Sequence, residues 1–144
     1  MKKELNDRIG IKIANVRNSI RNEMELALAP FEISTTQFVV LLRLCEKDRM
    51  TQKDLAFETN YKQSALTLIL DKLESKGLVI REAKQNDRRA YLIAITNKGK
   101  EFETILQNIA NEVEKKVLEG ISEKQKEEFI SVLDKIFENL NRVE

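Results

Sequence analysis

The sequence predicts a mainly α-helical chain carrying one small β-wing, and three observations lead there. Four glycines and one proline in 144 residues leave little to interrupt helices. Apolar residues recur at spacings of three and four over most of the chain. Only Leu78-Val79-Ile80 and Tyr91-Leu92-Ile93-Ala94-Ile95 break that rhythm, as two β-leaning runs around the polar stretch Arg81–Arg89. Two short helices precede those runs. The fold class is a winged helix-turn-helix core flanked by long N- and C-terminal dimerisation helices.

The first helix is expected over Leu5–Ala29. Leu5, Ile9, Ile13, Val16, Ile20, Met24 and Ala27 form its stripe. At 1.5 Å per residue it would span roughly 36 Å, long for a chain of this size. Pro30 is expected to end it, since proline disfavours helix at the residue before it. Ser34-Thr35-Thr36-Gln37 is a capping-box pattern opening a second helix, with Phe38, Val39, Val40, Leu41, Leu42 and Cys45 on a broad apolar face.

Thr51 with Asp54 is a further capping pattern, ahead of Leu55, Ala56 and Phe57. The next helix is expected to start near Asn60, with Gln63 at the box position. Its Leu66, Ile69, Leu70 and Leu73 fall on one face. Lys62, Gln63, Ser64, Thr67 and Lys72 fall on the other. Gly77 fits a left-handed helix stop. After the wing, Thr96 or Asn97 caps a long helix to about Glu119, striped by Phe102, Ile105, Leu106, Ile109, Val113 and Val117. Gly120 breaks it. Ser122 and Gln125 box the last helix, striped by Phe129, Val132, Leu133, Ile136, Phe137 and Leu140.

Polar and small residues opening a helix suit base edges and phosphates in a major groove. A hairpin tipped with Lys84, Arg88 and Arg89 suits a minor groove, where the potential is most negative. Thr51 and Arg81 join Lys62, Gln63, Ser64, Thr67, Lys84, Asp87, Arg88 and Arg89 as candidate DNA-binding residues. The net charge is only +1, so basicity is local. Residues 61–89 carry seven basic and four acidic side chains, and residues 97–144 carry eight basic and eleven acidic ones. A cationic face backed by an acidic body fits DNA binding.

At these residues the chain resembles the MarR family of bacterial transcription regulators. The likeness rests on Thr51–Ala56, the helix end Leu73–Val79, and Asp87-x-Arg89 followed by Ile95-Thr96. It is specific over the central third and extends loosely over all 144 residues. It implies that Lys62–Thr67 lie in the major groove, that Arg89 reaches the minor groove, and that Asp87 orients the wing. It further implies a regulator, most often a repressor, and a small phenolic or otherwise anionic effector at the junction of the dimer helices and the winged lobe. Leu68 departs from the family pattern, which often places a polar or basic residue there. The base-reading pattern stays open at that point.

The first, fifth and sixth helices each present a long apolar stripe, and the small lobe cannot cover all three. The expected solution is a two-fold homodimer built from both chain ends. Ile9, Val16 and Ile20 with Phe129, Leu133, Ile136, Phe137 and Leu140 would meet a second copy. The chain then reads as a single domain, 1–144. Residues 31–96 form the winged DNA-binding lobe, and 1–30 and 97–144 form the dimerisation helices. Two recognition helices would meet successive major grooves roughly 34 Å apart on a pseudo-palindromic site.

Catalytic chemistry has little to stand on. Histidine is absent, there is one cysteine, and no phosphate-cradling glycine loop occurs. No enzyme activity, metal or cofactor is expected. No run of 18 apolar residues suggests a membrane span, and Met1-Lys2-Lys3-Glu4 lacks the apolar core of a signal peptide. A cytoplasmic place of action follows. Two alternatives remain open: a thiol redox regulator using Cys45, and a helical protein-interaction module without DNA binding. Cys45 continues an apolar stripe, which favours a small buried hydrophobe. A sensor would need a lowered pKa and an accessible sulfur.

Overall fold

Leu66, Leu70 and Leu73, three leucines of one helix, lose all contact with solvent, and the lobe assembles around them. The structure is a computed structural model. It describes the backbone of residues 2–84 and 87–143 and the side chains of residues 4–83 and 91–143. In chain order the elements are α1 (Lys2–Asn6), α2 (Ile9–Leu28), a single 3₁₀ turn (Ala29–Phe31), α3 (Thr35–Glu46), β1 (Met50–Thr51), α4 (Gln52–Thr59), α5 (Gln63–Ser75), β2 (Val79–Lys84), β3 (Asp87–Ile95), α6 (Asn97–Val117) and α7 (Glu123–Leu140). This is the mainly α architecture with a small wing that the sequence predicts.

The first helix differs from its expected Leu5–Ala29. It is divided at Arg8, whose ψ of 130° is extended. Leu5 is more than half exposed, so no packing holds the first turn in line with the rest. At the other end Pro30 does not stop the chain outright. Ala29 keeps right-handed helical angles and donates to the Glu25 carbonyl. Pro30 has no N–H to continue that ladder, so the chain tightens to one 3₁₀ turn and reverses at Glu32, with φ of 57°.

The capping boxes form as expected. The Gln37 N–H donates to Ser34 Oγ at 3.2 Å, and the Ser34 N–H donates to Gln37 Oε1 at 3.3 Å. Ser122 and Gln125 make the same reciprocal pair. The Asp54 N–H donates to Thr51 Oγ1. Asn60 plays a different role from the one expected. It sits left-handed at φ 59° and closes α4, while Lys62 precedes α5 with no side-chain cap. A short polar side chain tolerates the left-handed region, so Asn60 serves an exit better than an entrance here. Gly77, at φ 73°, ends α5. The Leu78 N–H donates to the Leu73 carbonyl and the Gly77 N–H to the Glu74 carbonyl, a Schellman motif.

The wing is larger than a two-stranded ribbon. Met50 and Thr51 pair with Ile93 and Leu92, giving a three-stranded antiparallel sheet in the order β1-β3-β2. A two-residue strand is too short to show a period in sequence. β2 and β3 also run further than expected. Pairing continues from Val79↔Ile95 to Lys84↔Asp87, with an irregularity between Ala83 and Lys84. Most of the polar stretch Arg81–Arg89 is therefore strand, because ladder hydrogen bonds override the weak β propensity of its charged residues.

At the start of α6, Gly99 is required by space. A Cβ there would stand 2.4 Å from the Leu78 carbonyl oxygen. Thr96 fixes this contact: its hydroxyl donates to the Gly77 carbonyl at 2.6 Å and accepts from the Gly99 N–H at 3.0 Å. The core joins Leu28, Leu41, Leu44, Leu55, Leu78, Ile93 and Leu106 to the three leucines of α5. α7 buries no residue. No single helix among the described residues is long and apolar enough to cross a membrane.

Candidate nucleic-acid interface

α4 and α5 are joined at their N-terminal ends. Gln52, the first residue of α4, donates from Nε2 to Thr67 Oγ1 at 2.7 Å and lies 3.4 Å from the Gln63 carbonyl. The Thr67 hydroxyl in turn donates to that carbonyl at 3.0 Å. This network fixes the two helices against each other at the end that would approach a duplex. It also engages Thr67, one of the predicted base readers, in holding α4. Thr51, another candidate, is half-buried with its hydroxyl accepting the Asp54 N–H at 3.1 Å. Lys62, Gln63 and Ser64 stand exposed at the start of α5, and none makes a side-chain hydrogen bond among the described residues.

Arg81, another candidate, is paired within the chain. Its Nη2 donates to Asp71 Oδ1 at 2.8 Å and its Nη1 to Glu74 Oε2 at 3.0 Å. Its side chain is only 23% exposed. Burial works to lower its pKa, but the hydrogen bonds and charges of Asp71 and Glu74 outweigh this and raise it. The guanidinium is thus paired with two carboxylates of α5. The pairs tie β2 to α5, and so tie the wing to the helix that precedes it. On the neighbouring residue Glu82 accepts from Arg49 Nη1 at 3.0 Å. Asp48 Oδ1 accepts the Ile95 and Arg49 N–H groups, each at 2.9 Å. The base of the wing is therefore strapped on both sides. The side chains of Lys84, Asp87, Arg88 and Arg89 lie outside the described residues. The backbone places all four at the far end of β2 and β3.

The other end of α5 is also anchored. Lys76 Nζ donates to Gln37 Oε1 at 2.9 Å and to the Glu32 carbonyl. Lys98 Nζ reaches the Lys76 carbonyl at 2.9 Å. Gln37, buried, is thereby satisfied. Sequence reasoning missed Gln52, Lys76 and the Asp48–Arg49 turn. Gln52 carried a faint signal, as an amide directly after a capping threonine. Lys76 meets Glu32 and Gln37, and Asp48 and Arg49 meet Ile95 and Glu82, across more than thirty residues of chain, which leaves no local pattern.

Cys45 is half-buried, and its thiol is pushed up to about 11 by burial and then by Glu103, Asp48 and Glu46. A redox sensor needs the opposite shift, so the thiol-switch alternative is not favoured. Among the described residues no group of three metal-ligating side chains gathers.

Near the chain ends, α2 and α7 face each other across an apolar groove of about 540 Å³. Ile9, Ile13, Val16 and Ile20 line one wall, and Phe129, Val132, Leu133 and Ile136 line the other. Phe137 and Leu140 project further along α7 and are largely exposed. A second cleft lies between α2 and α6, with Leu26, Ala27, Ile109 and Val113 along it. The Glu23–Lys116 ion pair, 2.8 Å long, joins the two helices there.

A helix pair braced at its leading end, with a strapped three-stranded wing beside it, defines a winged-helix DNA-binding protein. The sequence model of the MarR family matches residues 33–91, from just before α3 to the middle of β3. Solved structures match almost the whole chain. The transcriptional regulator PA3341 is 35% identical, with 94% of this chain and 100% of that one covered and a TM-score of 0.85. A MarR transcriptional regulator from Methanosarcina mazei Go1 is 27% identical, over 91% of this chain and 94% of that one, with a TM-score of 0.83. CouR from Rhodococcus jostii RHA1, bound to p-coumaroyl-CoA, is 26% identical, over 92% and 93%, with a TM-score of 0.82. The chain belongs to the MarR family of transcriptional regulators, and its activity is DNA-binding control of transcription.

Proposed function

We propose that this regulator is a homodimeric repressor that binds a pseudo-palindromic operator in the cytoplasm. In this reading residues 31–96 form the DNA-binding lobe. Residues 1–30 and 97–144 join two copies. Lys62, Gln63 and Ser64 enter the major groove, with Thr51 and Thr67 holding the helix pair in register. Arg89 enters the minor groove, oriented by Asp87, while Arg88 and Lys84 meet phosphates. The observation that carries this is the exposed, unpaired polar start of α5, braced from behind by Gln52. Such a surface is organised for an outside partner with donors and acceptors on its edges.

The homodimer is supported by the apolar walls of the α2–α7 groove, which nothing among the described residues covers. A second copy would cover them by the same surface. Ile9, Val16, Ile20, Phe129, Leu133, Ile136, Phe137 and Leu140 are the contact residues in this reading. Control by a small anionic or phenolic effector is supported by the relative that carries p-coumaroyl-CoA and by the cleft between α2 and α6. A ligand there would act only through different affinities for two spacings of the lobes.

Fluorescence anisotropy against duplexes selected from a randomised pool tests the DNA reading. Affinity should survive scrambled competitor and fall steeply with salt, because displaced counterions drive binding. Salt-insensitive binding without sequence preference would refute it, and would favour a protein-interaction module instead. Footprinting on a selected duplex should show two protected half-sites about one helical turn apart.

A further inference from the structure

Leu68 is the leucine of α5 that the core does not use. Leu66, Leu70 and Leu73 are wholly buried, whereas Leu68 is 65% exposed. It lies one turn beyond Ser64 and Ala65, both exposed, so the three form one patch. Thr67 is turned away from that patch, with its hydroxyl held by Gln52 and the Gln63 carbonyl. Further along the helix, the carboxylates of Asp71 and Glu74 are both paired with Arg81. The patch is therefore bordered by two acids whose charge Arg81 partly offsets, which lessens their repulsion of a nearby phosphate backbone.

An exposed leucine is ordinary on a protein surface, so exposure alone carries nothing. Its position does. The opening turns of the second helix in a helix-turn-helix are the part that meets base edges. Those edges in the major groove present donors and acceptors, with one apolar exception, the 5-methyl group of thymine. Leucine pressed on a cytosine amine or a guanine oxygen would strip water from it without replacing the hydrogen bond. Against a thymine methyl it buries apolar surface on both partners. Ala65, one turn back, is too small to hold the base edge away.

We propose that Leu68 is a specificity-determining residue that selects thymine in each half-site through its 5-methyl group. This rests on α5 lying in the major groove, as proposed above. The test uses duplexes selected by the full-length protein from a randomised pool. Each thymine of the half-site is replaced in turn by deoxyuridine, which removes the methyl and leaves pairing unchanged. Affinities are measured by anisotropy for the wild type, for Leu68→Ala and for Leu68→Val, with circular dichroism confirming the fold. At one thymine per half-site, uracil should weaken wild-type binding about fourfold, the order expected for one buried methyl. Leu68→Ala should bind the thymine and uracil duplexes alike, and Leu68→Val should keep part of the difference. Uracil tolerated at every thymine would overturn the proposal, as would a uracil penalty that persists unchanged in Leu68→Ala. A pool that yields no preferred sequence would overturn the major-groove reading itself, and this assignment with it.

Discussion

Arg81 and Cys45 show how a side chain's surroundings decide its use. Arg81 looks in sequence like one more basic residue of a wing. Its two carboxylate partners make it a strut between β2 and α5. Arg81→Ala should therefore lower operator affinity by displacing the wing. The loss should shrink sharply in an Arg89→Ala background, whereas a direct phosphate contact would give additive losses in the same double-mutant cycle. The cost to thermal stability should be about 1 kcal/mol or less per pair, because Asp71 and Glu74 are largely solvated. Cys45 yields a pH prediction. Its folded pKa, about 11, lies above the ordinary value of 9.0. Between those values the unfolded chain holds fewer protons, so stability must fall as pH rises through that window. Urea melts from pH 8 to 11 should show the fall, and Cys45→Ala should flatten that part of the profile. A labelling reagent at pH 7 should react with the folded protein far more slowly than with the unfolded one.

At the level of elements, what was legible in sequence is what is local. Ser34, Thr51, Thr96 and Ser122 each accept the backbone N–H three residues on, and each was readable from a spacing of a few residues. Gly77 was readable for the same reason. The strand Met50–Thr51 was not, since its only evidence is a partner more than forty residues away. Nor was the extent of β2 and β3, where cross-strand pairing carries charged residues into a ladder. The candidate site divides the same way. The exposed start of α5 was visible in its polarity, while the partners of Thr67 and Arg81 emerged only when distant elements met. The Gly99 contact belongs at this scale too. Gly99→Ala would push a methyl into the Leu78 carbonyl and force α6 off the wing. A loss of about 1–3 kcal/mol is expected in thermal or denaturant melts, of the kind overpacking produces. An unchanged melting temperature would mean that α6 can shift without cost.

For the whole molecule, the division of labour is between a lobe whose core is closed with Leu28 and Leu106 and flanking helices left largely exposed. α3, α4, α5 and the sheet share one buried cluster. α2 enters that cluster with Leu28 and leaves Val16 and most of its length exposed. Val16→Asp should therefore leave the lobe folded. In the homodimer reading it should shift sedimentation from dimer to monomer and weaken operator binding by at least tenfold, since one half-site is lost. A dimer of unchanged strength would place the contact between copies elsewhere.

The bare flank of α7 has a consequence for how much of this protein must be present before it works. A helix of 18 residues, none of them fully buried within its own chain, draws little stability from that chain. Its order depends on whatever covers it. With a second copy as the cover, folding becomes a reaction of two molecules, and mass action governs it. The melting temperature then climbs with protein concentration. Below a threshold abundance, in the homodimer reading, the terminal helices would fray and the regulator would dissolve into halves. The chain would in this way take a reading of its own dosage, and its switch would sharpen without any ligand at all.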